Sequence, residues 1–302
     1  MAVKEYLDVS YVIGSTNPQQ TLDLYIPQKS ANTPKPQLVV YVHGGCWRSG
    51  DKHDYVALGR SLASKEYPGK GSESQHLAVA VINYRLSSKT YETNEFRHPA
   101  QLLDTIDSIE YLFLNHEKYG YDQEKIHLVG HSAGGHLTGL VCLEHPISWD
   151  SLKAPGSDKS LTSSIISVTG VSGIYDVEDF VNDRTGNLEY VDQTFGTSID
   201  VYRCSSPQFA PFSKSDWNLW SSVLPKEKFH AQAGAVPNIR YMVLHSSGDE
   251  LIPVSHSATY FNKCHQLGLN VSKELDTDYG THFGCLESPE FAHFVTNFIL
   301  QL

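Results

Sequence analysis

The sequence predicts an α/β fold in which helices cover both faces of a mostly parallel central sheet. Short apolar runs at residues 37–42, 77–83 and 125–129 are typical of buried parallel strands. Between residues 96 and 119 the apolar side chains recur with helical spacing and leave a polar opposite face, as in a helix that connects two strands. This alternation of strand and helix continues along nearly the whole chain, which favours a single domain over residues 1–302.

An antiparallel pair of strands is expected at the start of the chain. Residues 6–13 and 20–25 contain alternating apolar positions, and Asn17-Pro18 between them is typical of a turn. The later elements follow the same alternation of strand and helix. They are a helix from just after Ser132 to about Glu144, strands at residues 164–171, 240–245 and 272–275, and a final helix from about Ser288 to Leu302.

The stretch from about residue 176 to residue 238 interrupts this alternation. It is rich in Ser, Pro, Asp and aromatic residues and shows no clear periodicity. Ligands of open α/β sheets bind beyond the carboxyl ends of the strands, where such an insertion would lie. We therefore expect it to form a lid or a wall of a pocket rather than a second domain.

Composition and charge exclude two classes of function. The chain is 40% hydrophobic and 19% charged, which is ordinary for a soluble globular protein. No apolar run approaches the roughly 18 residues that cross a bilayer. The net charge of −11 argues against nucleic acid, because binding to phosphates depends on clustered Lys and Arg. We therefore predict neither a membrane span nor a nucleic-acid partner.

The first residues and the cysteines predict a cytoplasmic protein. Residues 1–8 lack the apolar core and the cleavage site of a signal peptide. The five cysteines are an odd number without paired close spacing, which suits free thiols in a reducing compartment. The fifteen histidines show no metal-ligand spacing, so no metal and no other cofactor is predicted.

A nucleophile elbow is predicted at Ser132. Residues 130–134 read G-H-S-A-G, between an apolar strand and a segment with helical character. A serine at such a sharp turn presents its hydroxyl above the sheet, and Gly130 and Gly134 allow the helix to approach the strand closely. The helix N-terminus places the N–H group of Ala133 beside the nucleophile, where it can contribute to an oxyanion hole.

A base and an acid for this serine are predicted in two later loops. A serine hydroxyl needs a neighbouring base, and that base needs an orienting acid. Asp249 follows the apolar strand at 240–245 and fits the acid, with Glu250 as its nearest rival. His282 lies in a glycine-containing loop after the last strand and fits the base. The predicted catalytic residues are Ser132, Asp249 and His282.

The second half of the oxyanion hole is predicted after the strand at residues 37–42. His43 is followed there by Gly44 and Gly45, whose lack of side chains leaves their N–H groups accessible. Donors aimed at a developing oxyanion contribute several kcal/mol to catalysis, on the order of 3 kcal/mol each. Gly44, Gly45 and Ala133 are therefore the predicted oxyanion donors.

Together these segments resemble a known superfamily, the α/β-hydrolases, and within it the HGG-bearing esterases similar to hormone-sensitive lipase. The resemblance covers roughly residues 20–302 and implies the α/β-hydrolase fold. Within the group, residues 43–52, H-G-G-C-W-R-S-G-D-K, are similar to the H-G-G-Y-W-x-S-G-x-K segment of the kynurenine formamidases. Further matches are at residues 131–137, 171–176 and 206–207. The chain departs from that family at Cys46, where an aromatic residue is common, and around residues 185–235.

This resemblance implies hydrolysis of N-formyl-L-kynurenine to L-kynurenine and formate, a step of tryptophan catabolism. Trp47 and Tyr175 are then expected to form aromatic walls for the kynurenine ring. A general carboxylesterase that cleaves short-chain or aryl esters with the same residues is the alternative. An inactive binding module on the same fold is a third hypothesis, although such proteins usually lose a member of the triad. The expected partner is a small acyl substrate, and a homodimer is left open.

Overall fold

A mostly parallel sheet of eight strands forms the centre of the part of the chain that the structure describes. The structure is a computed structural model, and it describes residues 1–30, 33–69, 74–88, 96–143, 148–210 and 239–301. The strands of the sheet are β1 (Val3–Ser10), β2 (Thr21–Pro27), β3 (Gln37–Val42), β4 (Leu77–Ile82), β5 (Asp122–His131), β6 (Ile165–Val171), β7 (Arg240–Leu244) and β8 (Asn270–Glu274). Their order in the sheet is β1-β2-β4-β3-β5-β6-β7-β8.

The pairing within this sheet is antiparallel only at its amino-terminal edge. β2 is antiparallel to both β1 and β4, whereas every neighbouring pair from β4 to β8 is parallel. The antiparallel edge and the parallel centre confirm the predictions. Because the parallel strands share one direction, the loops after β3, β5, β7 and β8 emerge at the same edge of the sheet.

Helices cover both faces of the sheet, as predicted. The helices longer than four residues are α1 (Val56–Ser64), α2 (Ala100–Leu114), α3 (Ala133–Leu143), α4 (Val177–Asp183), α5 (Asn187–Phe195), α6 (Ile199–Cys204), α7 (Val254–Gln266) and α8 (Pro289–Leu300), and single helical turns lie at Ser148–Ser151 and Leu161–Ser164. In β3, Leu38 and Val40 point into one apolar cluster with α2, α3 and α7, whereas Val39 and Tyr41 point into a second cluster with α1 and α8. Among the described residues, every helix is too short or too polar to cross a bilayer.

The observed elements differ from the predicted ones in four respects. The first strand covers Val3–Ser10 rather than residues 6–13. The predicted helix at 96–119 is α2 followed by a separate single turn, His116–Tyr119. The helices α1 and α7 were not predicted, because Gly59 interrupts the pattern of α1 and Ser, His and Asn side chains dilute that of α7. The first half of the expected insertion forms α4, α5 and α6. Its second half, residues 211–238, lies outside the described residues.

A buried ion pair ties the loop after β3 to the antiparallel edge of the sheet. Lys52 is 1% exposed, and its Nζ lies 2.8 Å from Oδ1 of the fully buried Asp23 on β2 and 2.6 Å from Oδ1 of Asp8. The backbone N–H of Lys52 donates to Oδ1 of Asn83. Lys52 ends the segment 43–52 that resembles the formamidases, and its contacts hold that segment against the sheet.

We predict that Lys52→Met lowers the free energy of unfolding by about 3–5 kcal/mol, because it leaves the Asp23 carboxylate buried without a cation. Urea denaturation measures the change. The double variant Lys52→Met/Asp23→Leu should recover much of the loss, since it removes the uncompensated charge as well. Arg60→Gln, which breaks an exposed pair with Glu5, serves as the control and should change stability little. Equal stabilities for Lys52→Met and Arg60→Gln would contradict this account.

Candidate active site

Ser132 occupies the sharp turn between the sheet and α3. β5 ends at His131 and α3 begins at Ala133, so Ser132 alone joins the two elements. Its φ of +55° lies in the left-handed region, which is uncommon for a residue other than glycine and marks local strain. Its N–H donates to the carbonyl oxygen of Val171 at 2.9 Å, which ties the turn to the end of β6. The structure therefore shows the strand-turn-helix geometry predicted from the sequence.

The two glycines of the elbow are required by close backbone contacts. A Cβ added to Gly130 would lie 2.2 Å from the carbonyl oxygen of Gly134. One added to Gly134 would lie 2.0 Å from the carbonyl oxygen of Val42, at the end of β3. Real Cβ atoms do not approach backbone atoms this closely, so any larger residue would push α3 away from β5 and β3. These contacts place Ser132 beside the loop that follows β3.

The glycine loop after β3 lies directly against Ser132. A Cβ added to Gly44 would lie 2.8 Å from the Cβ of Ser132, and Gly45 has a φ of +113° that favours glycine. Ala133 is the first residue of α3, where backbone N–H groups have no partner within the helix. The structure thus brings all three predicted oxyanion residues to the immediate surroundings of Ser132.

Asp249 and His282 meet in a direct hydrogen bond. Their Oδ2 and Nδ1 atoms are 2.7 Å apart, and both side chains are at most 2% exposed. The other carboxylate oxygen accepts the N–H groups of Leu251 and Ile252, each at 2.9 Å. Burial opposes ionisation of this carboxyl, but hydrogen bonds from His245 and His282 outweigh it and hold the pKa of Asp249 well below its usual range. Asp249 is therefore an anion that fixes the orientation of the His282 ring.

Two further side chains hold the backbone of His282. Oε2 of Glu250 accepts the N–H of His282 at 3.0 Å, and Nε2 of His131 donates to its carbonyl oxygen at 2.9 Å. Complete burial lowers the pKa of His131 to about 3, so this ring is neutral near pH 7. Glu250, the rival acid in the sequence, thus contacts the backbone of His282, while Asp249 contacts its ring. The sequence carried no signal for the contact of His131.

Ser132 and His282 line a common cavity of about 470 Å³. Gly45 and Cys46 from the loop after β3 form one side of it, and Phe283 forms another. A third side comes from residues of the 176–238 stretch, among them Phe180, Arg184 and Tyr190. The volume suits a small organic molecule. Sequence reasoning missed Arg184 and Tyr190, because the stretch that contains them has no periodicity to indicate which side chains face the sheet.

Trp47 and Tyr175, expected as walls of the substrate pocket, do not line this cavity. Trp47 is fully buried, and its indole N–H donates to Nδ1 of His136 on α3 at 3.1 Å while its ring packs edge-on against Phe195. Tyr175 is 1% exposed and stacks on Tyr260 with the ring centroids 3.8 Å apart. The prediction of substrate contact by these two residues is therefore wrong. The left-handed backbone at Cys46 and Trp47, which the sequence does not reveal, places the indole in the core.

The aromatic and cationic residues that do border the cavity are different ones. Arg48, next to Trp47 in sequence, lines it and was missed, although it lies within the segment that resembles the formamidases.

Across the described ranges, no group of His, Cys, Asp and Glu side chains is arranged to hold a metal ion. All five cysteines carry free thiols, and burial raises the pKa of Cys46 to about 11.

Comparison with known proteins assigns the chain to a family. Residues 22–264 match the BD-FAE family. The kynurenine formamidase avaC of Aspergillus versicolor is 26% identical over 268 residues, which are 84% of this chain and 85% of that protein. A probable isoprenylcysteine alpha-carbonyl methylesterase of Oryza sativa subsp. japonica is 28% identical over 85% of this chain and 54% of its own length.

Solved structures show the same fold. Esterase B from Lactobacillus rhamnosis superimposes with a TM-score of 0.72 at 19% sequence identity, over 99% of this chain and 84% of that one. This likeness and the mostly parallel sheet confirm the α/β-hydrolase fold. The chain belongs to the BD-FAE family of α/β-hydrolases and is an enzyme of the serine hydrolase class.

Proposed function

We propose that Ser132, His282 and Asp249 hydrolyse a small acyl group, and that the natural substrate is N-formyl-L-kynurenine. The observation that carries this proposal is the strained Ser132 elbow on the same cavity as a His282 ring hydrogen-bonded to a buried carboxylate. The formamide substrate is supported by the segment at 43–52 and by relatives named kynurenine formamidase, of which a second, from Meyerozyma guilliermondii, is 29% identical over 57% of this chain.

The proposed reaction begins with proton transfer from Ser132 to His282. Since Nδ1 of His282 is bonded to Asp249, Nε2 is the nitrogen that accepts the serine proton as Oγ attacks the formyl carbon. The N–H groups of the loop at Gly44 and Gly45 and of Ala133 stabilise the oxyanion. His282 then protonates the aryl amine, the C–N bond breaks, and the formyl group stays on Ser132. Water, deprotonated by His282, then attacks the formyl carbon; the bond to Oγ breaks, His282 returns the proton to Oγ, and formate leaves.

The surroundings of Ser132 suit an aromatic leaving group. Phe180, Tyr190 and Phe283 border the cavity, and we assign them the contacts with the kynurenine ring that the sequence suggested for Trp47 and Tyr175. Phe283 is half exposed and follows His282 directly, with the two ring centroids 4.9 Å apart. The helices α4 and α5, from the first half of the 176–238 stretch, then act as a pocket wall.

A carboxylesterase that cleaves short-chain or aryl esters is the second candidate. It uses the same residues and a similar tetrahedral transition state, and several relatives are named esterases, among them LipC of Mycobacterium tuberculosis at 28% identity. The choice between formamide and ester therefore rests on the leaving group, which the cavity contacts, and not on the elbow. An inactive binding module is disfavoured because the Asp249–His282 pair and the Ser132 elbow are both intact.

A comparison of substrates tests the proposed function. We predict that kcat/KM for N-formylkynurenine is at least about 10-fold above that for p-nitrophenyl acetate and butyrate, because the kynurenine leaving group contributes binding energy. The absorbance of the kynurenine product measures hydrolysis of N-formylkynurenine. Fast turnover of the esters with negligible cleavage of formylkynurenine would instead establish the esterase. Turnover of neither would favour the binding module.

Substitutions at the triad test the assignment of each residue. We predict that Ser132→Ala lowers kcat by about 10⁶-fold and Asp249→Asn by about 10⁴-fold, as in other serine hydrolases. Glu250→Gln keeps an amide oxygen that can accept the N–H of His282, so its kcat should fall far less than that of Asp249→Asn. Circular dichroism of each variant controls for folding. A larger loss in Glu250→Gln than in Asp249→Asn would assign the acid to Glu250.

The pH dependence of kcat/KM should report a single proton. Between about pH 5 and 8 the low pKa of Asp249 keeps it ionised, and the low pKa of His131 keeps that ring neutral. Neither group therefore contributes to the acidic side of the profile, where log kcat/KM should change with a slope of about one. A slope near two would show that a second group, such as His131, titrates with the active form.

A further inference from the structure

The charged side chains that border the cavity beside Ser132 share one sign. Among the described residues that line it, Arg48 and Arg184 are cationic, and none is Asp or Glu. The chain as a whole has a net charge of −11, so a lining whose charged side chains are both arginines differs from the protein's overall charge. A cleft lined by charges of one sign attracts ligands of the other sign.

Arg48 is held in one position by three neighbours on α5. Its Nη1 donates to Oε1 of Glu189 at 3.0 Å and to the side-chain oxygen of Gln193 at 2.8 Å. Its Cζ lies 3.9 Å from the centre of the Tyr190 ring, in a cation–π contact. The Arg48 side chain is only 15% exposed, whereas its partner Glu189 is 67% exposed. Water therefore screens the Glu189 carboxylate more strongly than the guanidinium at the cavity.

Arg184 is anchored to the loop that carries the catalytic acid. It follows α4, and its Nη2 donates to the backbone carbonyl oxygen of Glu250. The side chain of Glu250 in turn accepts the N–H of His282, so the guanidinium is fixed on the segment that positions the base. A guanidinium has five N–H donors, and the bond to Glu250 uses one of them.

We propose that Arg48 and Arg184 bind a carboxylate on the leaving group of the substrate, so that the enzyme selects anionic acyl compounds over neutral ones. The proposal rests on the proposed function, because it takes Ser132 as the nucleophile. Guanidinium groups match the geometry of a carboxylate and bind it with charge-assisted hydrogen bonds. Tyr190 and Phe283 border the same cavity and provide apolar contact for the part of the leaving group between the carboxylate and the scissile bond.

Arg48 and Arg184 also affect the oxyanion that forms during the reaction. Attack by Ser132 creates an oxyanion within the same cavity, and a carboxylate bound nearby without a counter-ion would repel it. Two arginines neutralise the carboxylate and remove that penalty. Formylkynurenine carries such a carboxylate on its leaving group, as do other acylated aryl amines and phenols with a carboxylate side chain.

Two matched pairs of substrates test the proposal. The first is 3-(3-acetoxyphenyl)propanoate and the corresponding propanamide, which differ in charge but not in the ester that is cleaved. The second is N-formylkynurenine and N-formylkynuramine, which lacks the carboxylate. For each pair, we measure kcat/KM for the substrate with the carboxylate and divide it by kcat/KM for the substrate without it. This ratio is determined in the wild type, Arg48→Gln, Arg184→Gln and the double variant. Arg60→Gln is the control, because Arg60 lies on α1 and carries the same charge in an exposed pair with Glu5 of β1.

We expect the wild type to prefer the carboxylate and each cavity variant to lower the ratio by about 10-fold, as for the loss of a charge-assisted hydrogen bond. The ratio in Arg60→Gln should equal that of the wild type. Equal ratios in the double variant and in Arg60→Gln, or no preference in the wild type, would overturn the proposal. If Arg48→Gln does not fold, inhibition of phenyl acetate hydrolysis in the wild type decides: 3-phenylpropanoate must inhibit more strongly than 3-phenylpropanamide.

The same measurements separate this proposal from the proposed function. Hydrolysis of the anionic ester with the expected ratios, but of neither formamide, would make the enzyme an esterase and leave the arginine site supported. Hydrolysis of N-formylkynurenine with ratios unchanged by the arginine variants would support the formamidase and refute the arginine site. Loss of all activity in Ser132→Ala establishes that both pairs of substrates are cleaved by the same nucleophile.

Discussion

The active site depends on a backbone contact that leaves no room for a side chain. Gly134 lies so close to the carbonyl oxygen of Val42 that even a methyl group would separate α3 from β3. This contact fixes the elbow relative to the loop after β3, and the same closeness recurs where Gly44 meets Ser132. Ser132, the proposed nucleophile, and the glycine loop after β3 therefore have a fixed separation that follows from packing of the main chain. The strained φ of Ser132 persists because the elements on both sides of it cannot move apart.

His282, the proposed base, is also held in a fixed position, although it lies on a loop. Asp249 holds the ring of His282, Glu250 holds its N–H group, and His131 holds its carbonyl oxygen. Asp249 and Glu250 come from the loop after β7, and His131 is the residue before Ser132. The two loops and the elbow therefore form one hydrogen-bonded unit, so His282 keeps its position relative to Ser132. Burial of the unit strengthens these bonds, because little water competes for them.

The sequence could predict those residues of the site that lie at the ends of strands or in the loops after them. Ser132, Asp249 and His282 each lie at the end of a strand or in a short loop after one, and strands are visible in the sequence as apolar runs. Their approximate arrangement was therefore predictable. Trp47 was misassigned because its direction depends on a left-handed backbone that no pattern of apolar residues reveals. Arg184 was missed for a related reason, since the helices around it are short and have no strong periodicity.

The sheet and the 176–238 stretch contribute to the proposed site under different constraints. The indole of Trp47 is bonded to His136 on α3 and packs against Phe195 on α5, so the insertion is joined to the oxyanion loop through a buried contact. The insertion can then present side chains such as Arg184 to the cavity from a fixed base, while their identity is free of the constraints that act on the elbow. Relatives named formamidase, methylesterase and esterase are 26–28% identical to this chain. We therefore attribute the choice of substrate to the insertion and the chemistry to the sheet.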